Sequence, residues 1–318
     1  MLFKKYDSNY KLLPEKPIKL EKDIQTIIES NLDVFFGVEF ITSEFKVAQF
    51  RCDTFAFDRE SKSFVVIEYK KKTDSGLFDQ GLGYLELMDS RQADFLTEYN
   101  EKLKKHLLKK DIDIPQSKII FISPSFNQSQ RQAANFDVNI ELWEIHLHDH
   151  IIELNKIHNS NKTQMPVRGS QAKIIEKFKP YTEEYHFESR AKGNKKIKIL
   201  YEQFREKIME FGEVQIIPRK YHIAVKANML NFVAFDLRKS KLHIYVTLKK
   251  DDDPKKISKN VQNIGHWGTG NYQITVTDDS NFDYIFSLIK KSFEYTLNRS
   301  LSDIASDAVK TRKKNQES

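Results

Sequence analysis

Two carboxylates and a lysine are the groups in this 318-residue chain whose types and spacing best support chemistry. Asp53 stands in Arg51-Cys52-Asp53-Thr54-Phe55, and Glu68 and Lys70 stand in Ile67-Glu68-Tyr69-Lys70. Arg51 to Phe57 reads as a strand, Asp58 to Lys62 as a polar turn, and Ser63 to Lys70 as a second, β-branched strand. Together they predict an antiparallel hairpin. Side chains alternate along a strand, so Glu68 and Lys70 share a face and Asp53 can sit across from them. The run Phe64-Val65-Val66-Ile67 is the pattern of a strand buried on both faces. Charges in such a place are costly unless they pair or hold a metal. Two carboxylates an ion's width apart suit Mg²⁺, which takes oxygen ligands and keeps several waters. A bound cation acidifies a water and stabilises charge on a phosphorane-like transition state. Lys70 can position or deprotonate that water, or neutralise the developing charge. Glu-x-Lys alone reads equally as an ordinary ion pair on a strand face. Asp53 followed after fourteen residues by Glu68-x-Lys70, all on one hairpin, is the narrower pattern.

The surrounding sequence predicts the elements that hold this hairpin. Residues 1–18 read as irregular. Glu21 to Leu32 reads as an amphipathic helix, with Leu20, Ile24, Ile27 and Ile28 at helical spacing. Phe40 to Phe50 holds two short extended pieces. Leu77 to Leu107 predicts two helices, Ser117 to Ser123 a buried strand, Gln128 to Asn135 a short helix, and Ile140 to Leu147 an edge strand. Mixed strands and helices around a central hairpin indicate an α/β fold.

This segment resembles the PD-(D/E)XK nuclease superfamily. Glu21 at the head of the first helix, Asp53, the tripeptide Glu68-Tyr69-Lys70, and Gln80 in Asp79-Gln80-Gly81-Leu82-Gly83-Tyr84 carry the resemblance. Within the superfamily it looks most like the archaeal mismatch and branched-DNA endonucleases, over residues 19–150. Cys52 stands where the motif's proline would be. The resemblance implies a restriction-endonuclease-like domain with Asp53 and Glu68 as metal ligands and Lys70 as the catalytic lysine. It implies that Glu21 is an accessory carboxylate supporting the metal, and that Gln80 orients groups around the hairpin. The plainer readings are a first-turn acid favoured by the helix dipole for Glu21, and an exposed helix-start residue for Gln80.

The rest of the chain organises differently. Residues 155–195 read as a polar, Lys-rich connector. A helix from Lys196 to Phe211 opens a smaller α+β domain over 196–298, with strands at Tyr221–Ala227, Leu230–Asp236, Lys241–Thr247 and Tyr272–Val276 and a helix at Phe282–Thr296. They predict a small antiparallel sheet. The cluster Gly265-His266-Trp267-Gly268 resembles the signature of a bacterial domain of unknown function, which implies a module without assigned chemistry. Residues 299–318 read as a tail. His146, His148 and His150 alternate, which on a strand would face them one way; a solvated strand face is the plainer reading than a metal site.

Charge is unevenly spread. Residues 1–150 carry 21 Lys and Arg against 25 Asp and Glu, a net of −4; residues 151–318 carry 31 against 20, a net of +11. A basic half attracts polyanions such as nucleic acid. The single cysteine, Cys52, excludes an internal disulfide framework and a Cys-rich zinc site. No run of about 18 apolar residues is present to span a membrane. A cytoplasmic setting is the expectation. The function expected is a Mg²⁺- or Mn²⁺-dependent DNA endonuclease, in repair or host defence by analogy of fold alone. A homodimer is the form that would supply two active sites for a double-strand break. The alternative is a non-cleaving nucleic-acid-binding or protein-interaction module on a nuclease fold.

Overall fold

A computed structural model describes residues 1–71, 76–133, 137–157, 169–227, 230–262, 264 and 270–298. The chain forms two compact units, Met1–Pro180 and Tyr181–Ser318.

The first unit opens with strands β1 (Leu2–Tyr6) and β2 (Asn9–Leu13), a two-stranded antiparallel ribbon. Residues expected to be irregular thus form a hairpin. Its strands show no apolar alternation because all but Leu2 and Leu13 are exposed. Helix α1 (Glu21–Glu29) follows. The Asp23 carboxylate accepts the Leu20 N–H at 3.1 Å, which satisfies a donor at the helix start. Ile24 and Ile28 are fully buried, as their spacing requires. The helix stops three residues earlier than the apolar pattern suggests. A short helix α2 (Leu32–Phe36) then closes on Gly37 in the left-handed region, at φ 65°.

Strands β3 (Glu39–Val47), β4 (Phe50–Asp58) and β5 (Ser63–Tyr69) form an antiparallel meander. Helices α3 (Leu77–Ser90) and α4 (Gln92–Leu103) lead to β6 (Lys118–Ser123), α5 (Gln128–Ala133), β7 (Ile140–Leu147), β8 (Ile152–Lys156) and α6 (Ser170–Lys177). The six-stranded sheet has the order β3-β4-β5-β6-β7-β8, with β5, β6 and β7 mutually parallel. Strand β7 is therefore not the sheet edge that the sequence suggested: β8 pairs with it antiparallel. Sheet residues Phe55, Phe64, Val66, Phe121 and Leu142 share a core with α3 and α4, and Ala56, Val65, Ile67, Ile120 and Ile145 share another with α1 and α2. Phe64 to Ile67 are buried on both faces, as read from the sequence. Phe95 of α4 is wedged among Phe45, Phe55 and Phe64. Of the stretch read as a connector, residues 158–168 lie outside the described residues. Farther on, Phe178 is fully buried in the core of the first unit.

The second unit begins with a single turn, α7 (Glu183–Tyr185), and a π-helical turn over His186–Arg190. Then come α8 (Lys195–Met209), β9 (Gln215–Pro218), β10 (Ile223–Ala227), β11 (Leu230–Leu237), β12 (Leu242–Val246), β13 (Ser258–Asn260), β14 (Tyr272–Val276) and α9 (Phe282–Asn298). The sheet is antiparallel throughout, in the order β13-β14-β12-β11-β10-β9. Phe204 and Ile208 of α8 and Leu288 and Ile289 of α9 pack with Val233, Phe235 and Ile244 in one core. This is the α+β pattern expected, with β9 and β13 added. Asp236 is fully buried between Arg190 (2.5 Å) and Arg238 (2.7 Å), so its charge is paired. Gly265 to Gly268 and the tail from 299 lie outside the described residues.

Candidate active site

The hairpin ladder ends at the pair Thr54↔Ile67. Beyond it, β4 stays with β3 through Cys52, Arg51 and Phe50, whereas β5 stays with β6. The two strands fork, and side chains replace the missing ladder bonds. Asp53 N–H donates to Glu68 Oε1 at 3.2 Å, and Tyr69 N–H donates to Asp53 Oδ2 at 2.9 Å. The fork thus brings two carboxylates to one spot and fixes one oxygen of each. Lys70 follows directly; its own N–H donates to the Ile122 carbonyl at 2.9 Å, and its Nζ lies 3.7 Å from Glu68 Oε2. Asp53, Glu68 and Lys70 converge as their spacing predicts.

Helix α3 completes the arrangement. Gln80 Nε2 donates to Glu68 Oε2 at 3.0 Å, so Gln80 faces the site rather than solvent. Its neighbour Gly81 is in close contact with the sheet. A Cβ there would lie 2.7 Å from Ile140 Cδ1 and 3.3 Å from Phe121 Cε2, so glycine lets α3 sit near enough for Gln80 to reach. Tyr84, one turn on, donates its hydroxyl to the Arg51 carbonyl at 2.8 Å.

The electrostatics are those of crowded, partly dehydrated acids. Glu68 is 3% exposed. Burial and the neighbouring Asp53 charge push it up to about 7, against the lowering influence of Tyr84 and Lys70. Burial likewise raises Asp53, opposed by the Tyr69 N–H. Cys52 is buried, and burial together with Glu68 and Asp53 pushes its thiol well above the usual range, so it stays protonated and is no nucleophile.

Glu21 reaches the site from the α1 layer. Its Oε1 accepts the Lys71 N–H at 2.8 Å and so fixes the chain just past Lys70. Among the described residues, no third His, Cys, Asp or Glu joins Asp53 and Glu68 in an ion-sized cluster. Glu21 therefore supports the backbone and is not brought into a ligand set with the pair.

A polar layer that no sequence motif marks lies behind Asp53. Gln25 Nε2 donates to the Asp53 carbonyl (3.0 Å) and to Glu29 Oε1 (2.9 Å). Glu29 also accepts the Thr54 hydroxyl (2.6 Å) and the Ser43 hydroxyl (2.7 Å), and Thr54 Oγ1 lies 2.9 Å from the Tyr69 hydroxyl. The available signal was the spacing of Glu21, Gln25 and Glu29, a polar line four residues apart on a helix whose Ile24 and Ile28 are buried.

The other motifs have structural roles. Asn127 and Gln130 cap each other reciprocally, at 2.8 and 2.9 Å. His146 lies 2.9 Å from Glu15 Oε1, and His148 Nδ1 lies 3.2 Å from the Leu13 carbonyl. His150 sits past the strand at φ 60° and does not join them. In the loop after β12, Asp252 and Asp253 bond Tyr295 and Tyr284, which fixes a turn.

Residues 184–296 match a family described as a domain of unknown function, DUF5655. An uncharacterized protein of Haemophilus influenzae is 41% identical over 292 residues, covering 89% of this chain and 95% of that protein. The chain belongs to the same family as that protein. The family thus has a bacterial member that carries both units. Among solved structures, a repair endonuclease from Pyrococcus abyssi matches 41% of this chain and 49% of its own, at 19% identity and a TM-score of 0.28. EndoMS in complex with double-stranded DNA matches 39% of this chain and 44% of its own, at 15% identity and a TM-score of 0.26. The chain spans less than half the length of each of these two structures.

Proposed function

We propose that the first unit is a metal-dependent nuclease that hydrolyses phosphodiester bonds in DNA. The carrying observation is the fork of β4 and β5, where Asp53, Glu68 and Lys70 meet and Gln80 closes on Glu68. The donor set fits Mg²⁺ or Mn²⁺: both ligating groups are carboxylates, and one or two carboxylates suffice when waters and substrate phosphate fill the remaining positions. Asp53 Oδ1 accepts no hydrogen bond among the described residues, so it is available as a ligand. When bound, the cation supplies Lewis-acid activation of the phosphate and of a water.

The chain's own residues do the rest. The Asp53 N–H and the Gln80 amide hold the Glu68 carboxylate in one orientation. Lys70 carries a proton at Nζ beside Glu68 and offers it, or its charge, to the phosphate oxygens as they become more negative. Glu21, through the Lys71 amide, keeps the chain after β5 in place and so positions Lys70. The second unit carries 25 Lys and Arg against 18 Asp and Glu across residues 181–318, and adds electrostatic affinity for a polyanion.

A thermal-shift titration tests the reading. Mg²⁺ raises the melting temperature of the wild type by mass action, about 2.7 kcal/mol at a hundredfold excess over Kd. It leaves Asp53→Asn unmoved. No shift in the wild type, or equal shifts in both, overturns the metal site and leaves the non-cleaving module.

A further inference from the structure

We propose that the β1–β2 ribbon is a DNA-contacting arm whose Lys4–Lys11 face engages the phosphates of a duplex; this deepens the nuclease reading and rests on it. Among the described residues, the ribbon's two strands pair only with each other. Such a pair is marginal alone, and three or more strands are normally needed for stability. Within it, Lys4 is paired directly with Lys11. Like charges placed opposite each other weaken a ladder. Both ammonium groups lie over the Tyr6 ring, at 5.4 and 5.2 Å from its centroid. The aromatic face offsets the repulsion only partly, and a bridging anion would remove it. Lys5 stands on the ribbon's other face, opposite Tyr10, with Phe3, Tyr10 and Leu12 exposed beside it, so the two ammonium groups over Tyr6 are the cations of the proposed phosphate face. Asp7 is the ribbon's one acidic residue. Asp149, already bridged to Lys16 at 3.0 Å, also feels Lys4.

The placement of the ribbon matches this role. It is tied to the end of β7: Lys16 N–H donates to the Leu147 carbonyl at 2.6 Å, and His146 and His148 hold Glu15 and the Leu13 carbonyl. Strand β7 is parallel to β6 and through it to β5. Leu147 and Lys70 therefore lie at the same end of the sheet, two strand spacings apart. With strands about 4.8 Å apart and residues about 3.3 Å apart, the anchor is roughly 20 Å from the carboxylates. A duplex carries a charge about every 1.7 Å of its axis, so one molecule can meet both. A two-stranded ribbon also fits the major groove.

The experiment uses the full chain and a labelled DNA duplex, titrated without divalent metal across roughly 50–200 mM salt. Lys4→Gln/Lys11→Gln is expected to bind about tenfold more weakly, with a salt slope lower by about 2, one for each phosphate that is no longer neutralised. Lys4→Arg/Lys11→Arg keeps the charges and binds as wild type, which separates the missing charge from a damaged ribbon. Unchanged affinity and slope in the glutamine variant, with a wild type that binds and cuts, overturns the arm and spares the nuclease. A wild type that neither binds with salt sensitivity nor cuts in Mg²⁺ overturns both.

Discussion

Lys70→Ala is expected to lower metal-dependent DNA cleavage by about 10²–10⁴ in single-turnover rate, with Mg²⁺ binding retained. The reason is position. The ammonium is 3.7 Å from Glu68 Oε2, and its side chain is 18% exposed, so it acts where water screens it little. Alanine removes the charge and the proton together. Lys70→Arg separates them, because guanidinium keeps the charge and does not release a proton. Recovery of most activity by arginine would assign Lys70 to neutralising charge; no recovery would assign it to handling a proton. An alanine variant that cuts within a few-fold of wild type would remove Lys70 from the reaction.

Glu68→Gln is expected to stabilise the metal-free protein at pH 8 while abolishing cleavage. Glu68 has a folded pKa of about 7, above its unfolded value, because burial and Asp53 disfavour its charge. Its contribution to stability is complete below the ordinary glutamate range and is lost as pH rises through about 7. The native state at pH 8 thus carries an unfavourable buried charge worth about 1–3 kcal/mol, or a few °C in melting temperature. Glutamine keeps an oxygen for the Asp53 N–H and carries no charge; the Gln80 amide turns to present its own oxygen. In chelator, the variant should melt above wild type at pH 8 and level with it near pH 4. Mg²⁺ should then narrow the gap by stabilising the wild type alone. A variant less stable than wild type at pH 8 would mean that Glu68 is already compensated without a cation.

The parts of this site that were legible in the sequence are those fixed by strand geometry. A five-residue polar stretch between two strands sets the hairpin register, and that register places Asp53 opposite Glu68 and puts Lys70 beside it. Gln80 was legible only through resemblance, since nothing in the periodicity of α3 says that its first turn meets the hairpin. The elements that escaped are made by pairing rather than burial. Strands β1 and β2 expose Phe3, Tyr6, Tyr10 and Leu12, and β8 starts with an exposed Ile152, so no alternation marks them. Strand β13 is only three residues long. The network centred on Glu29 escaped because its partners, Ser43 and Thr54, belong to other elements, and only the folded sheet brings them under α1.

The decisive measurement is cleavage of supercoiled and linear duplex DNA by the full chain, with and without Mg²⁺ or Mn²⁺, beside Asp53→Asn. If Asp53 and Glu68 hold the metal, cutting requires the cation and disappears in Asp53→Asn, whose folded structure is retained. Metal-independent cutting, or equal cutting by the variant, would contradict the assignment of Asp53 and Glu68 as the metal-holding pair of a nuclease.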